Sequence, residues 1–245
     1  MSSTQDQIAS VSEQTTTVIG ELKPHPDFFF DDLYVAIEET LFKVSKRDFE
    51  NNSEVFKTMY SIPVPEGSNA DGSCRQNPLK LSGATADEFT QLLKVMYPSH
   101  HGKASVLSAP QWQSVLKLAN LWDFQVTRRT AITHLQPVVA EMTPQEALVM
   151  ARRHDVDKWL VDAVEVMAKR AEPMGMDDVN VIGVEDALRV ANVREQAMNI
   201  LKSSSIVSGW VDWKERSALK FRPTIKAVFG IGGNGSSTSP SNVAE

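Results

Sequence analysis

The hydrophobic period of this chain is two in its early segments and that of a helix from residue 85 onward, and that shift constrains the fold more than any other feature. Leu33, Val35 and Ile37 alternate with Tyr34, Ala36 and Glu38, and Leu41-Phe42-Lys43-Val44 follows after a three-residue connection. A period of two places one face of each segment on a core, so the pair reads as a β-hairpin. Leu79-Lys80-Leu81 is a shorter third strand candidate. From residue 85 onward the apolar residues recur at spacings of three and four, the period of a helix. The expected class is α+β, with a small early sheet, helices flanking it, and then helices alone.

The helix starts are marked by caps. Thr85-Ala86-Asp87-Glu88 fits a capping box, and Phe89, Leu92, Leu93 and Met96 form one stripe behind it. Ser108-Ala109-Pro110-Gln111 repeats the signal ahead of Trp112, Val115, Leu116 and Ala119. A further helix is expected over about Thr127 to Leu135. Thr143-Pro144-Gln145-Glu146 combines an N-cap threonine, a proline at the first helical position and a glutamate at the third, with the helix closing near His154. Asp155 is expected to cap the next helix, whose apolar stripe is Val156, Trp159, Leu160, Ala163, Val164 and Met167. Pro173 and Gly175 interrupt, and another helix is expected around Val184–Leu201. Ser61 to Asn77, with Pro63, Pro65, Gly67 and Gly72, reads as a long surface loop.

Composition removes several function classes. The 245 residues are 42% hydrophobic, enough for a sizeable core, and the net charge of −6 gives no basic footprint for nucleic acid. No apolar run reaches the ~20 residues that span a bilayer, and the first twenty residues lack a secretory pattern. Cys74 is the single cysteine, so an internal disulfide or a thiolate cluster is not expected, and the chain reads as intracellular, in cytoplasm or nucleus. None of the five histidines falls at metal-ligand spacing with a carboxylate motif; neither a metal nor a cofactor is expected.

Catalytic patterns are equally thin. There is no Gly-x-Ser-x-Gly elbow. His154, Asp155 and Asp157 are close in sequence, but neighbouring side chains on a helix diverge. Gly230-Ile231-Gly232-Gly233-Asn234-Gly235 satisfies G-x-G-x-x-G, yet Ser-Ser-Thr-Ser-Pro follows where a helix would be required. Lys214, Arg216, Lys220, Arg222 and Lys226 make a basic stretch that reads as a solvated helical face, with Trp210 and Trp213 docking it on the helices. The chain is not expected to be an enzyme.

The order of these pieces resembles a known family. Asp31-Asp32-Leu33-Tyr34-Val35-Ala36-Ile37, Leu41-Phe42-Lys43-Val44 and Ser53-Glu54-Val55-Phe56-Lys57-Thr58-Met59-Tyr60 resemble the opening of a BTB/POZ domain. Pro78-Leu79-Lys80-Leu81, Phe89 to Leu93, Met96-Tyr97 and Leu116-Lys117-Leu118-Ala119 are similar to the family's third strand and next two helices. Trp112, Trp122, Met150-Ala151-Arg152, Lys158-Trp159-Leu160 and Arg194-Glu195 resemble a branch common in fungi, where a helical extension follows the domain. The implied organisation is a disordered segment over residues 1–23, a BTB/POZ domain over 24–136, an all-α extension over 137–228 and a Gly/Ser tail over 229–245.

What the resemblance implies for function is a non-catalytic protein–protein interaction module that self-associates and scaffolds other proteins. The alternatives it carries are a substrate adaptor of a cullin-based ubiquitin ligase and a transcription-associated regulator. In the family's cullin adaptors a hydrophobic-x-Glu motif follows the Ser-x-x-Phe-x-x-Met helix, and Val64-Pro65-Glu66 stands at that place here. The resemblance therefore nominates Phe56, Met59, Val64 and Glu66 as partner-binding residues. No amphipathic helix is evident before Asp27, where the family's domain-swapped dimers use one, which argues against a swap and not against dimerisation.

Overall fold

The computed structural model describes residues 23–26, 29–63, 69–98, 106–204 and 219–232. Strand β1 (Asp32–Ile37) and β2 (Thr40–Ser45) form an antiparallel hairpin in which Leu33 faces Val44 and Val35 faces Phe42. The two-residue β3 (Leu79–Lys80) pairs parallel to β1, giving a three-stranded sheet in the order β2-β1-β3. The alternation in β1 buries Leu33, Val35 and Ile37, as a period of two demands of a one-faced strand. The hairpin turn is two residues, Glu38-Glu39, and not three, because Thr40 already pairs with Ile37. Glu38 takes a left-handed backbone there, at φ 53°, and its carboxylate accepts from the Ala86 N–H at 3.0 Å.

Two short helices follow where the sequence suggested one, α1 (Lys46–Asn52) and α2 (Glu54–Ser61). Ser45 and Ser53 are their N-caps, accepting from the N–H of Asp48 and Phe56 respectively. Helices α3 (Ala86–Met96) and α4 (Ala109–Leu121) begin at the expected caps; Glu88 reaches back to the Thr85 N–H at 3.0 Å and Gln111 to that of Ser108 at 2.9 Å. Together these elements close on an aromatic core. Phe49 meets Phe56 edge-on at 5.0 Å and Phe124 at 5.4 Å, while Phe89 meets Phe42 at 4.9 Å and Trp122 at 5.8 Å. Edge-to-face contacts of this kind add to the area each ring buries.

Residues 69–78, the later part of the stretch read as a loop, are tied to the sheet. Tyr34 N–H donates to the Gly72 carbonyl and Gly72 N–H to that of Asn77, both at 2.9 Å. Cys74 is half-buried in this turn and bridges Asn77.

The remaining chain is helical. Helix α5 (Gln125–Ala140) runs longer at both ends than the stripe from Thr127 to Leu135 indicates, and it carries Pro137 inside. Helix α6 (Pro144–His154) starts at Thr143 with the full capping box. Asp155 does not cap the next helix: it ends α6 in a left-handed conformation at φ 52°, and Val156 is the N-cap of α7 (Asp157–Lys169). The chain turns at once between the two helices, and a left-handed residue that tolerates the strain is what such a turn needs.

Helix α8 (Met176–Ser204) begins well before Val184, and Gly183, at φ 79° and ψ 162°, breaks it into two segments. That break is why the apolar period is regular only beyond it. Asp178 is buried near its start, accepting from Gln145 at 2.8 Å, the Gly175 N–H at 2.8 Å and the Arg170 guanidinium at 2.9 Å. Finally α9 (Arg222–Phe229) lies within the basic stretch; Phe221 and Ile225 are buried and Arg222 pairs with Asp162 and Glu165 of α7. The architecture is α+β followed by all-α, as expected. Trp210, Trp213, residues 1–22 and residues 233–245 fall outside the described residues. The tail expected from 229 begins later, because Phe229 closes α9 and Gly230 caps it at φ 70°.

Candidate partner surface

The nominated residues sit on or after α2, whose position is set from below. Ser53 is 2% exposed; its hydroxyl caps α2 and donates to the carbonyl of Trp122, at the end of α4. This pins the first turn of α2 onto the aromatic core. Phe56, 1% exposed, packs against Phe49, Trp122 and Phe124. It therefore meets a partner only through the shape it imposes on α2. Met59 is half-buried and packs on the core. Val64 and Glu66 lie outside the described residues.

Sequence reasoning passed over the outer face of the same helix. Val55 is 44% exposed and Ile62 is 64% exposed, and they stand at i and i+7 around Met59 at i+4. Residues three and four apart share one helix face, so Val55 and Met59 stand together, and the apolar stripe continues to Ile62, the C-cap of α2. Glu54 and Lys57 pair at 3.1 Å beside it, and Lys46 lies over the Tyr60 ring at 4.4 Å. The spacing was legible, but whether it faced core or water was not.

Two further apolar patches are open to water. Phe29 and Phe30, just ahead of β1, are both more than half exposed, with the Arg47 guanidinium over the Phe30 ring at 5.9 Å. On α8, Val181, Val184 and Leu188 are exposed on either side of Gly183. Val181 also edges a groove of about 340 Å³ with Met142, Val149 and Met150.

His154 is 4% exposed, neither ring nitrogen has a hydrogen-bond partner among the described residues, and Asp155 and Asp157 do not reach it. Burial, with help from the Arg153 charge, pushes its pKa down to about 4, so at neutral pH it is a neutral, isolated ring. Among the described residues no group of three or more His, Cys, Asp or Glu is placed to hold a metal, and no helix is long and apolar enough to cross a membrane.

The family comparison agrees with this geometry. Residues 23–137 match the model of the BTB/POZ domain, a protein–protein interaction module of a generally non-enzymatic kind. A search of the curated proteins gives no match to the chain.

Proposed function

We propose that this protein is a non-catalytic scaffold that self-associates through its BTB/POZ domain and holds other proteins, acting inside the cell. On this reading residues 24–136 form the domain, the helical extension runs from 137 to the end of α9 at Phe229, and 1–23 and the residues after α9 are tails. The observation that carries self-association is the pair Phe29 and Phe30, two consecutive large aromatic side chains left in water beside the first strand. Each ring would bury well over ~100 Å² in an interface, and a rigid aromatic loses little entropy on doing so. Light scattering of the full chain tests it. A dimer that weakens in Phe29→Ser/Phe30→Ser supports the reading; a monomer over the whole micromolar range rejects it.

A second reading, substrate adaptor of a cullin-based ligase, is favoured by the stripe Val55–Met59–Ile62, which leads directly into Val64-Pro65-Glu66. Pull-down with a cullin N-terminal region, comparing wild type with Glu66→Ala and Val55→Glu, discriminates. Absence of wild-type binding removes this reading and leaves self-association standing.

A further inference from the structure

Helix α6 ends at His154, and its last carbonyls point past the helix with no N–H ahead of them in the same helix. Asp155 and Val156 turn back to satisfy Ala151 and Arg152. The carbonyls of His154 and Asp155 are met from elsewhere. Asn120, in the last turn of α4, donates through its side-chain amide to the His154 carbonyl at 2.6 Å. Arg128, in the first turn of α5, donates through Nε to the Asn120 side-chain oxygen at 2.6 Å and through its other end to the Asp155 carbonyl. One guanidinium fork thus holds both the Asn120 amide and the end of α6. It also places a cation at the negative pole of α6, where the aligned peptide dipoles favour it.

This latch joins distant parts of the chain, 27 to 34 residues apart. Helix α6 meets α4 and α5 far less extensively than it meets α7; elsewhere along the junction Gln136 of α5 accepts from Lys158 and Trp159 of α7, both at 3.1 Å. Buried beside the latch is the His154 ring, whose nitrogens have no hydrogen-bond partner among the described residues.

We infer that Asn120 and Arg128 form a latch that sets the orientation of α6 to α9 on the BTB/POZ domain, and with it the distance between the α2 stripe and the exposed face of α8. The inference rests on the two-part organisation proposed above. A scaffold with two apolar faces needs their spacing held, and a bidentate guanidinium fixes an angle as apolar contacts alone do not.

Spin labels on Lys57→Cys and Asn192→Cys in a Cys74→Ser background, in the full chain, read that distance. One narrow distribution is expected in the wild-type background, broadened roughly twofold or shifted in Arg128→Gln and in Asn120→Ala, since a freed hinge samples a range of angles. Arg128→Lys keeps the charge but cannot grip both partners at once, so it broadens the distribution too, and it serves if Arg128→Gln does not fold. Distributions as narrow as the wild-type background in all folded variants overturn the latch. Limited proteolysis of the wild type tests the organisation separately. Lack of any stable fragment ending near residue 137 rejects the two-part reading, while the distance measurement still decides the latch.

Discussion

The hydroxyl of Ser53 does two things at once: it accepts from the Phe56 N–H as the N-cap of α2 and donates to the Trp122 carbonyl, 69 residues further along the chain. Its residue is 2% exposed, so neither group has water to fall back on. Ser53→Ala removes a cap and leaves a buried carbonyl unpaired. The expected loss is roughly 1–3 kcal/mol, read as a lower urea midpoint at unchanged slope.

That bond also shows where sequence reading stops. The hairpin, three capping boxes and the stripes of α3, α4 and α7 are local, set by residues within a few positions of each other, and each could be read directly. The division of residues 46–61 into two helices falls at Ser53, whose cap on Phe56 is local but whose second bond, to Trp122, no local pattern announces. Asp155 fails for the same reason. Its sequence suits an N-cap, but Arg128 holds its carbonyl and the turn places it at φ 52°. On α2 the sequence nominated Phe56 and Met59 and passed over Val55 and Ile62. Phe56 looked like a contact residue and is core, while Val55 and Ile62 looked unremarkable and are exposed.

Two glycines with nearly the same φ separate space from strain. Gly72 has φ 81°, and a Cβ there would overlap Leu33 Cδ1 and lie 3.2 Å from the Tyr34 carbonyl oxygen. Gly183 has φ 79° with nothing within 4 Å. Gly183→Ala is expected to cost roughly 1–3 kcal/mol, because φ 79° with ψ 162° is a backbone region open essentially to glycine alone. Gly72→Ala adds overpacking against β1 and is expected to cost roughly 2–4 kcal/mol. Paired denaturant melts of the two variants check the difference; equal losses would mean that the Leu33 side chain simply moves aside.

His154 makes stability depend on pH in one direction. Its folded pKa of about 4 lies below the ordinary 6.5, so between those values the unfolded chain binds the proton and the folded chain refuses it. Stability is therefore complete above the unfolded value and declines as pH falls from 6.5 toward 4, by at most about 3 kcal/mol. The charges along its own segment are Arg152, Arg153, Asp155 and Asp157, and Arg128 faces the same turn from α5. His154→Leu removes the group that must titrate. Its urea midpoint is expected to vary less with pH across this window than that of the wild type, and an unchanged slope would assign the effect to other residues.

On α2 the core and the outer face can be separated by mutation. Phe56 packs against three rings and is closed to solvent, so Phe56→Ala is expected to cost about 3–5 kcal/mol and to lower every activity together with the folded population. Val55 stands half in water one position before it, and Val55→Glu is expected to change stability by no more than ~0.5 kcal/mol. A charge in the middle of an apolar stripe would have to be desolvated when a partner covers it, which costs far more than the valine side chain itself contributes to binding. Val55→Glu should therefore retain the wild-type melting temperature and lose partner binding, whereas Phe56→Ala loses both in proportion. If Val55→Glu binds its partners as the wild type does, the stripe is not the docking surface, and Phe29 and Phe30 or the exposed face of α8 must carry recognition instead.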